Sequence, residues 1–195
     1  NFSVEGLVVN KSLTQKLVSK TATYTAADES VILVDSTSGV VTINLPTAAS
    51  IAGRIYTIKK IDSSVNKVTI DPSGSETMDG ETTLELIGQY GVIKLISGGT
   101  NWAVLEYDSG WASWVPTYTA RDSMTFTSVT TVHAHYKRVR NQAHIQIESY
   151  GTLGGTASFD IYATIPSLIT PTEATYTGGG VVGDGNGVNH ISGVL

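Results

Sequence analysis

The feature that most constrains the fold is the alternation of apolar and polar residues in short runs separated by turn residues. Residues 41–105 contain several such runs, rich in Thr and in β-branched Val and Ile. The run at 41–45 (VTINL) alternates strictly, and Pro46 ends it because proline cannot donate a hydrogen bond to a sheet. This period of two predicts β-strands with one buried face and one solvated face. Helical periodicity is nearly absent.

The spacing of these runs indicates how the strands are organised. Strand-plus-turn units recur about every ten residues, which is typical of sandwiches and barrels. We therefore predict an all-β chain with two small antiparallel domains in tandem, each resembling a β-sandwich or barrel. Residues 1–20 form a connector from a preceding segment, 21–108 the first domain and 109–195 the second, with the boundary at 108–110 (DSG). No internal repeat is visible, which argues against a solenoid.

The second domain contains the clearest alternation in the chain, at 142–148 (QAHIQIE) and 158–165 (SFDIYATI). Each pattern predicts a strand with one buried face, and Phe159 is placed on that face. The Gly-rich segment 178–187 is either a variable recognition tip or a mobile loop. The sequence starts with Asn1 and finishes with HISGVL, so we expect a processed or truncated part of a longer polypeptide.

The composition argues against several classes of function. The net charge is −5 and the densest basic run is at 137–140 (KRVR), so a nucleic-acid partner is not expected. No segment approaches the roughly 20 apolar residues of a membrane span, and membrane insertion is not predicted. The chain has no cysteine for disulfides or thiolate metal sites. Only 15% of its residues are charged, which favours stabilisation by contacts with other copies of the chain.

Strings in the first domain resemble a β module that recurs in bacteriophage tail fibres, tailspikes and other virion appendages. These strings are LTQK, TATYTA, VILVD, VTINLP, IYTIKKID, VTIDPSGSETMDG and GTNWAVL. The leading FSVEGLVVNKSLTQ is similar to the segment that precedes this module in tail-fibre chains. In the second domain, WVPTYTA, YKRVRNQAHIQIES and DIYATIPSL resemble β domains of fibre tips and capsid-decorating proteins. Arg140 stands where the family pattern usually has Gly, so we expect a differently built turn there.

The resemblance implies a structural protein on the surface of a virion, in an appendage of the tail or capsid. It implies a homotrimer, and it carries no catalytic residue and no cofactor onto this chain. We therefore predict a non-enzymatic segment of a trimeric fibre or spike that attaches the particle to a host surface glycan or protein. The alternative is a capsid decoration or head-fibre protein that binds other coat subunits. A polysaccharide depolymerase is less favoured.

The histidines at 133 and 135 are candidate metal ligands. His133 and His135 lie on one face of a predicted strand, about 7 Å apart. Three such pairs around a threefold axis could surround one octahedral metal, and some fibres that the chain resembles bind iron through this motif. The alternative, which we favour, is a polar strand face beside Lys137. His144 would lie near the pair if the two strands form a hairpin.

Carboxylates offer weaker candidates for chemistry. Four cluster in the loop at 71–82: Asp71, Glu76, Asp79 and Glu81. Their spacing lacks the alternating ligands and central Gly of an EF-hand, so a solvated turn is favoured over a Ca²⁺ site. Three more, Asp122, Glu148 and Asp160, could serve glycoside cleavage only by elimination, because that reaction needs two carboxylates facing each other in a cleft.

Aromatic residues are the remaining candidates for contacts with a partner. The tryptophans Trp102, Trp111 and Trp114 could stack on sugars or pack the domain joint, and we favour packing. The tyrosines Tyr118, Tyr150 and Tyr162 suit a receptor contact or a subunit interface. From these sets we select four residues as receptor or interface contacts: Trp111, Trp114, Tyr150 and Tyr162.

Overall fold

The computed structural model describes six stretches of the chain: residues 15–120, 123–140, 142–156, 161–166, 177–180 and 190–194. These residues form β-strands and one 3-10 turn at Ala48–Ser50, with no α-helix among them. The predicted all-β class is confirmed. The N-terminal part of the connector, Phe159 and most of the Gly-rich segment lie outside the described residues.

Sixteen strands are described, nine of them up to the DSG segment. The nine are β1 Leu17–Lys20, β2 Tyr24–Thr25, β3 Val31–Val34, β4 Val41–Asn44, β5 Ile55–Lys60, β6 Val68–Asp71, β7 Leu84–Leu86, β8 Val92–Ser97 and β9 Trp102–Asp108. The others are β10 Ala112–Ser113, β11 Tyr118–Ala120, β12 Met124–Val139, β13 Gln142–Gly155, β14 Ile161–Ala163, β15 Thr177–Gly180 and β16 His190–Val194. Below, the first unit means β1 to β9 and the second unit means β10 to β16.

Strands β1 to β6 wind as a two-sheet coil. The odd strands pair in parallel in one sheet, and the even strands pair in parallel in another. Successive turns of the coil stack in register, with Leu33 beside Lys59 in one sheet and Ile43 beside Ile70 in the other. The Leu17–Lys20 segment, which we placed in a connector, is the first strand of this coil.

Two predictions are corrected by this coil. The sheets are mixed and not purely antiparallel, and a solenoid-like arrangement exists although no repeat is visible in the sequence. The physical reason is that alternation reports only which side chains are buried. It does not report the direction of the neighbouring strand, and turns of unequal length between the strands leave no fixed period to detect.

Antiparallel strands complete the sheets. Strand β7 pairs with β6, and β8 and β9 extend the other sheet from β5. The large sheet has ten strands in the order β1-β3-β5-β8-β9-β12-β13-β16-β15, with β10 beside β12. The four-stranded sheet has the order β2-β4-β6-β7, and β11 pairs with β14 in a small sheet of two strands. The sheets are open and not closed barrels.

The hydrophobic core lies between the large sheet and the four-stranded sheet of the first unit. Every second side chain of the strands points inward and is fully buried, as the period of two predicts. Tyr56 and Trp102 close one part of this core with ring centroids 5.8 Å apart. The described core cluster runs from Ala26 to Tyr107, so it belongs entirely to the first unit.

A buried charge network joins two turns of the coil. Lys60 has no exposed surface, and its ammonium donates hydrogen bonds to Ser36 Oγ and Asp62 Oδ1, each at 2.6 Å. The amide of Ser36 donates to the other oxygen of Asp62 at 2.7 Å. Burial alone would raise the pKa of Asp62, but hydrogen bonds from Lys60, Ser64 and Ser36 hold it well below its usual value. The network therefore stabilises the stacking of the turns that follow β3 and β5.

We predict that Asp62→Asn lowers the free energy of unfolding by about 3–5 kcal/mol, because it leaves the Lys60 ammonium buried without its counter-ion. Urea denaturation at pH 7 measures this. The contribution of Asp62 is fully present above its unfolded pKa of about 3.9, and it is lost as the pH falls through the lower pKa of the folded state.

Asp28→Asn is the matched control, because Asp28 pairs with Lys16 on the exposed surface and its loss should change stability little. Equal, small effects of the two substitutions would contradict the structural role of the network.

Candidate functional site

The second unit is built around one long hairpin. Strands β12 and β13 have 16 and 14 residues and pair from Met124 and Gly155 to Val139 and Gln142. Arg140, at the turn, adopts a φ of 53°, the left-handed conformation that glycine takes most readily. Arginine thus holds the backbone conformation of the glycine expected from the family pattern, at some cost in strain.

The hairpin continues the large sheet of the first unit. Val139 pairs with Asp108 of β9, and the Lys137 ammonium lies 2.6 Å from the Asp108 carboxylate. The DSG segment that we assigned to the boundary is buried in this joint. Ser109 donates its amide to the Arg138 carbonyl at 2.9 Å and accepts the Ile87 amide at 2.8 Å. The two units are therefore bonded through backbone groups here.

One face of the hairpin carries the three histidines of β12 and β13. His133 lies opposite Glu148, His135 opposite Gln146 and Lys137 opposite His144. Directly opposed residues share a face, so the histidines and Lys137 belong to one surface, which we call the histidine face. The predicted common face of His133 and His135 and the proximity of His144 in a hairpin agree with this register.

The histidine pair is stacked and touches an acid. The ring centroids of His133 and His135 are 5.7 Å apart, and His133 Nε2 lies 3.8 Å from Glu148 Oε2. In the described part of the chain no group of three His, Asp or Glu side chains is placed to hold a metal ion.

The opposite face of the hairpin is packed by Trp114. Its indole meets the ring of Tyr136 edge-on at 5.8 Å, and its Nε1 donates to the Thr164 carbonyl at 3.2 Å. The Tyr118 hydroxyl hydrogen-bonds to Thr131 and Ser149 on this same face. The small sheet of β11 and β14 therefore covers this face, and Trp114 contributes to its packing.

Trp102 and the acidic loop have structural partners in both units. Trp102 is buried in the core, and its Nε1 donates to Glu76 at 3.2 Å. Asp79 accepts the Val104 amide at 3.2 Å, and Glu81 pairs with Arg138 at 2.9 Å. The acids of this loop thus bond to separate groups and do not converge on one point.

The other aromatic candidates remain on the surface. Trp111 is 46% exposed, Tyr150 62% and Tyr162 51%. The Lys137 ammonium lies 5.4 Å from the centre of the Trp111 ring, which places Trp111 beside the histidine face. The backbone of Trp111 is held tightly, because a Cβ on neighbouring Gly88 would come within 2.0 Å of the Trp111 carbonyl oxygen.

These candidates do not form one site. Tyr150 shares the histidine face, but it lies six residues along β13 from His144, about 20 Å away. Tyr162 lies in β14, on the side of the hairpin that Trp114 packs. The sequence prediction therefore selected two surface aromatics on one side of the sheet, Trp111 and Tyr150, and two residues associated with the small sheet.

A cavity of about 120 Å³ lies at the joint between the units. Its lining residues are Thr83, Leu84, Glu85, Ile87, Tyr107, Ser109, Tyr136 and Arg138. Burial raises the pKa of Tyr107 to about 12, and its hydroxyl donates to the Glu85 carbonyl at 2.9 Å. Glu85 is the one carboxylate in the lining, and it pairs with Lys67. The cavity thus lacks the two facing carboxylates of a glycosidase.

Of the acids nominated for hydrolysis, Glu148 lies on the histidine face, while Asp122 and Asp160 fall outside the described residues.

No helix in the described stretches could span a membrane. No protein-family model matches the chain, and no curated protein matches its sequence. The similarity to phage appendage modules therefore stays a prediction from the strings quoted above.

We predict that Trp114→Ala loosens the second unit and leaves the first unit intact. Removing a half-buried indole costs about 1–3 kcal/mol of packing, so proteolytic cleavage within β12 and β13 should accelerate about tenfold or more. Limited proteolysis with mass mapping measures this. Trp111→Ala is the control, because that indole is exposed. Equal cleavage rates for both variants would show that Trp114 does not hold the hairpin.

Proposed function

We propose that this chain is a structural, non-enzymatic segment of a homotrimeric virion appendage, a fibre or spike, that attaches the particle to the host cell surface. The observation that carries the proposal is a long hairpin without a core of its own. At 16 residues, β12 is about 50 Å long. The buried apolar residues of the two hairpin strands are only four: Met124, Ala134, Tyr136 and Ala143.

A hairpin of this length needs further partners for stability. Isolated two-stranded hairpins are marginal in water. Strand β16 pairs with β13 over His144–Glu148, short of the distal half of the hairpin, and the small sheet covers only one face. Val132 and Leu153 remain exposed on the hairpin, and the chain has no disulfide to compensate. Contacts with sister chains would supply the missing burial. A closed threefold arrangement limits such contacts to a defined number and yields a stiff projection.

The adhesive part of the proposal rests on the surface aromatics beside a rigid sheet. Exposed tryptophan and tyrosine rings combine apolar area with a polar edge and suit contacts with sugars or with a protein surface. Trp111 and Tyr150 are the residues that we assign to this contact. Three copies of a weak contact on one particle raise the overall avidity, so each contact can be weak. Other virion proteins would hold the segment in the particle.

We predict that the purified protein has three times the 20.6 kDa mass of the chain. Size-exclusion chromatography with light scattering measures the mass independently of shape. A single species of monomer mass at micromolar concentration would contradict the trimer.

We further predict that Trp111→Ala reduces binding to host cells without changing the mass of the assembly. A ring contact worth about 1 kcal/mol per chain, repeated in three chains, corresponds to a loss on the order of a hundredfold. Binding of the fluorescently labelled protein to host cells measures this. Val115→Ala is the control, because Val115 is also exposed nearby.

Unchanged binding of Trp111→Ala would remove that residue from the contact. Two further outcomes would replace the proposed function. Immunogold labelling on heads instead of tails would favour a capsid decoration protein that binds coat subunits. A clear zone on a host lawn spotted with purified protein would favour a depolymerase.

A further inference from the structure

The two sheets of the first unit have outer faces of opposite character. Outward positions of the four-stranded sheet carry polar side chains: Thr42, Asn44, Thr69, Asp71 and Glu85. Outward positions of the large sheet carry six aliphatic side chains, which we call the apolar face: Leu17, Val31, Leu33, Ile55, Val92 and Ile96. Four polar side chains, Ser19, Thr57, Lys59 and Lys94, lie among them on the same strands. All six are half-buried or exposed. A solvated sheet face would carry polar residues, as the other sheet does.

These six side chains lie on one face of the sheet, where Lys59 of β5 stands between Leu33 and Val92. Leu17 is beside Val31 in the register, and Ile55 is beside Ile96. Val92 lies opposite Asp108, which pairs in turn with Val139 of the hairpin. The apolar face is therefore continuous with the histidine face along one side of the large sheet. The four-stranded sheet and the small sheet both cover the other side.

The charges around the apolar face suit a second copy of the same chain. Lys94 lies opposite Glu106 on this side of the sheet, yet neither side chain makes an ion pair within the described residues. A surface that carries unpaired charge of both signs can satisfy them against a copy of itself. A strongly charged partner such as a nucleic acid would use only one of the two signs.

The size of the face indicates how it would be used. The four strands that carry the face, β1, β3, β5 and β8, lie about 4.8 Å apart and are about 13–20 Å long, so the face presents about 320 Å². A stable interface buries about 800 Å² on each partner. The apolar face alone is thus less than half of an interface, and the adjoining hairpin can supply the rest. A flat surface of this kind fits another protein surface and not a small ligand, which binds in concave sites.

We propose that the apolar face of the large sheet is the surface through which copies of this chain pack together. The inference deepens the proposed function, because it assigns the subunit contact that the trimer requires. It leaves the polar outer face of the four-stranded sheet free for solvent.

Cysteine cross-linking tests the assignment, since the chain contains no cysteine. Leu33→Cys places a thiol on the apolar face, and Thr42→Cys places one on the polar face. The two positions are matched, because both are half-buried and lie in consecutive strands of the same coil. With a short bismaleimide at micromolar protein, we expect covalent pairs from Leu33→Cys at a yield at least tenfold above that from Thr42→Cys.

The mass of the unmodified protein, measured in parallel, separates the two proposals. If the unmodified protein is a trimer but Leu33→Cys cross-links no more than Thr42→Cys, the apolar face is not the subunit contact. That result would not contradict the trimer itself. If the unmodified protein is a monomer and neither cysteine variant cross-links, both the trimer and the apolar-face contact are overturned. As a second measurement, Leu33→Glu should increase the dissociation constant of the assembly at least tenfold, whereas Thr42→Glu should leave it unchanged. Equal effects of the two charges would also overturn the assignment.

Discussion

Burial of alternate side chains between two sheets is the constraint on which the first unit depends. Rows such as Ile32 and Ile58 in the large sheet, and Ile43 and Ile70 in the four-stranded sheet, are completely removed from water. Each fully buried aliphatic side chain contributes about 1.5–3 kcal/mol, so these rows outweigh any surface ion pair. The buried ion pair of Lys60 and Asp62, with its hydrogen bonds to Ser36, helps to fix how successive turns of the coil align.

The same constraint is not met in the second unit. Its hairpin strands β12 and β13 are longer than those of the coil, but the described residues give the hairpin only a small packed face around Trp114 and Tyr136. Its other face, with His133 and His135, is continuous with the apolar face of the coil. Within the described stretches, the four-stranded sheet and the small sheet thus cover one side of the large sheet, and no strand covers the other. This asymmetry connects the fold to the proposed assembly and to the surface aromatics.

The sequence predicted side-chain burial well and strand direction poorly. The alternation at 41–45 placed Val41 and Ile43 in the core correctly. The proximity of His144 to the histidine pair was expected only on condition that the two strands form a hairpin, which they do. Parallel pairing of β3 with β5 depends on how the chain winds, which no local pattern encodes. Trp102 was grouped with Trp111 because both lie near the joint in sequence, yet alternation within β9 places Trp102 in the core. Lys60 was missed, because a buried lysine is recognised only from its partners.

Hydrogen exchange of the hairpin across a dilution series tests the central claim, that sister chains complete the second unit. In the assembled protein, amides of β12 and β13 should exchange slowly. On dilution to dissociated chains, those amides should exchange much faster, while amides of the coil from β3 to β6 keep their protection. Equal protection of the hairpin in assembled and dissociated chains would contradict the account.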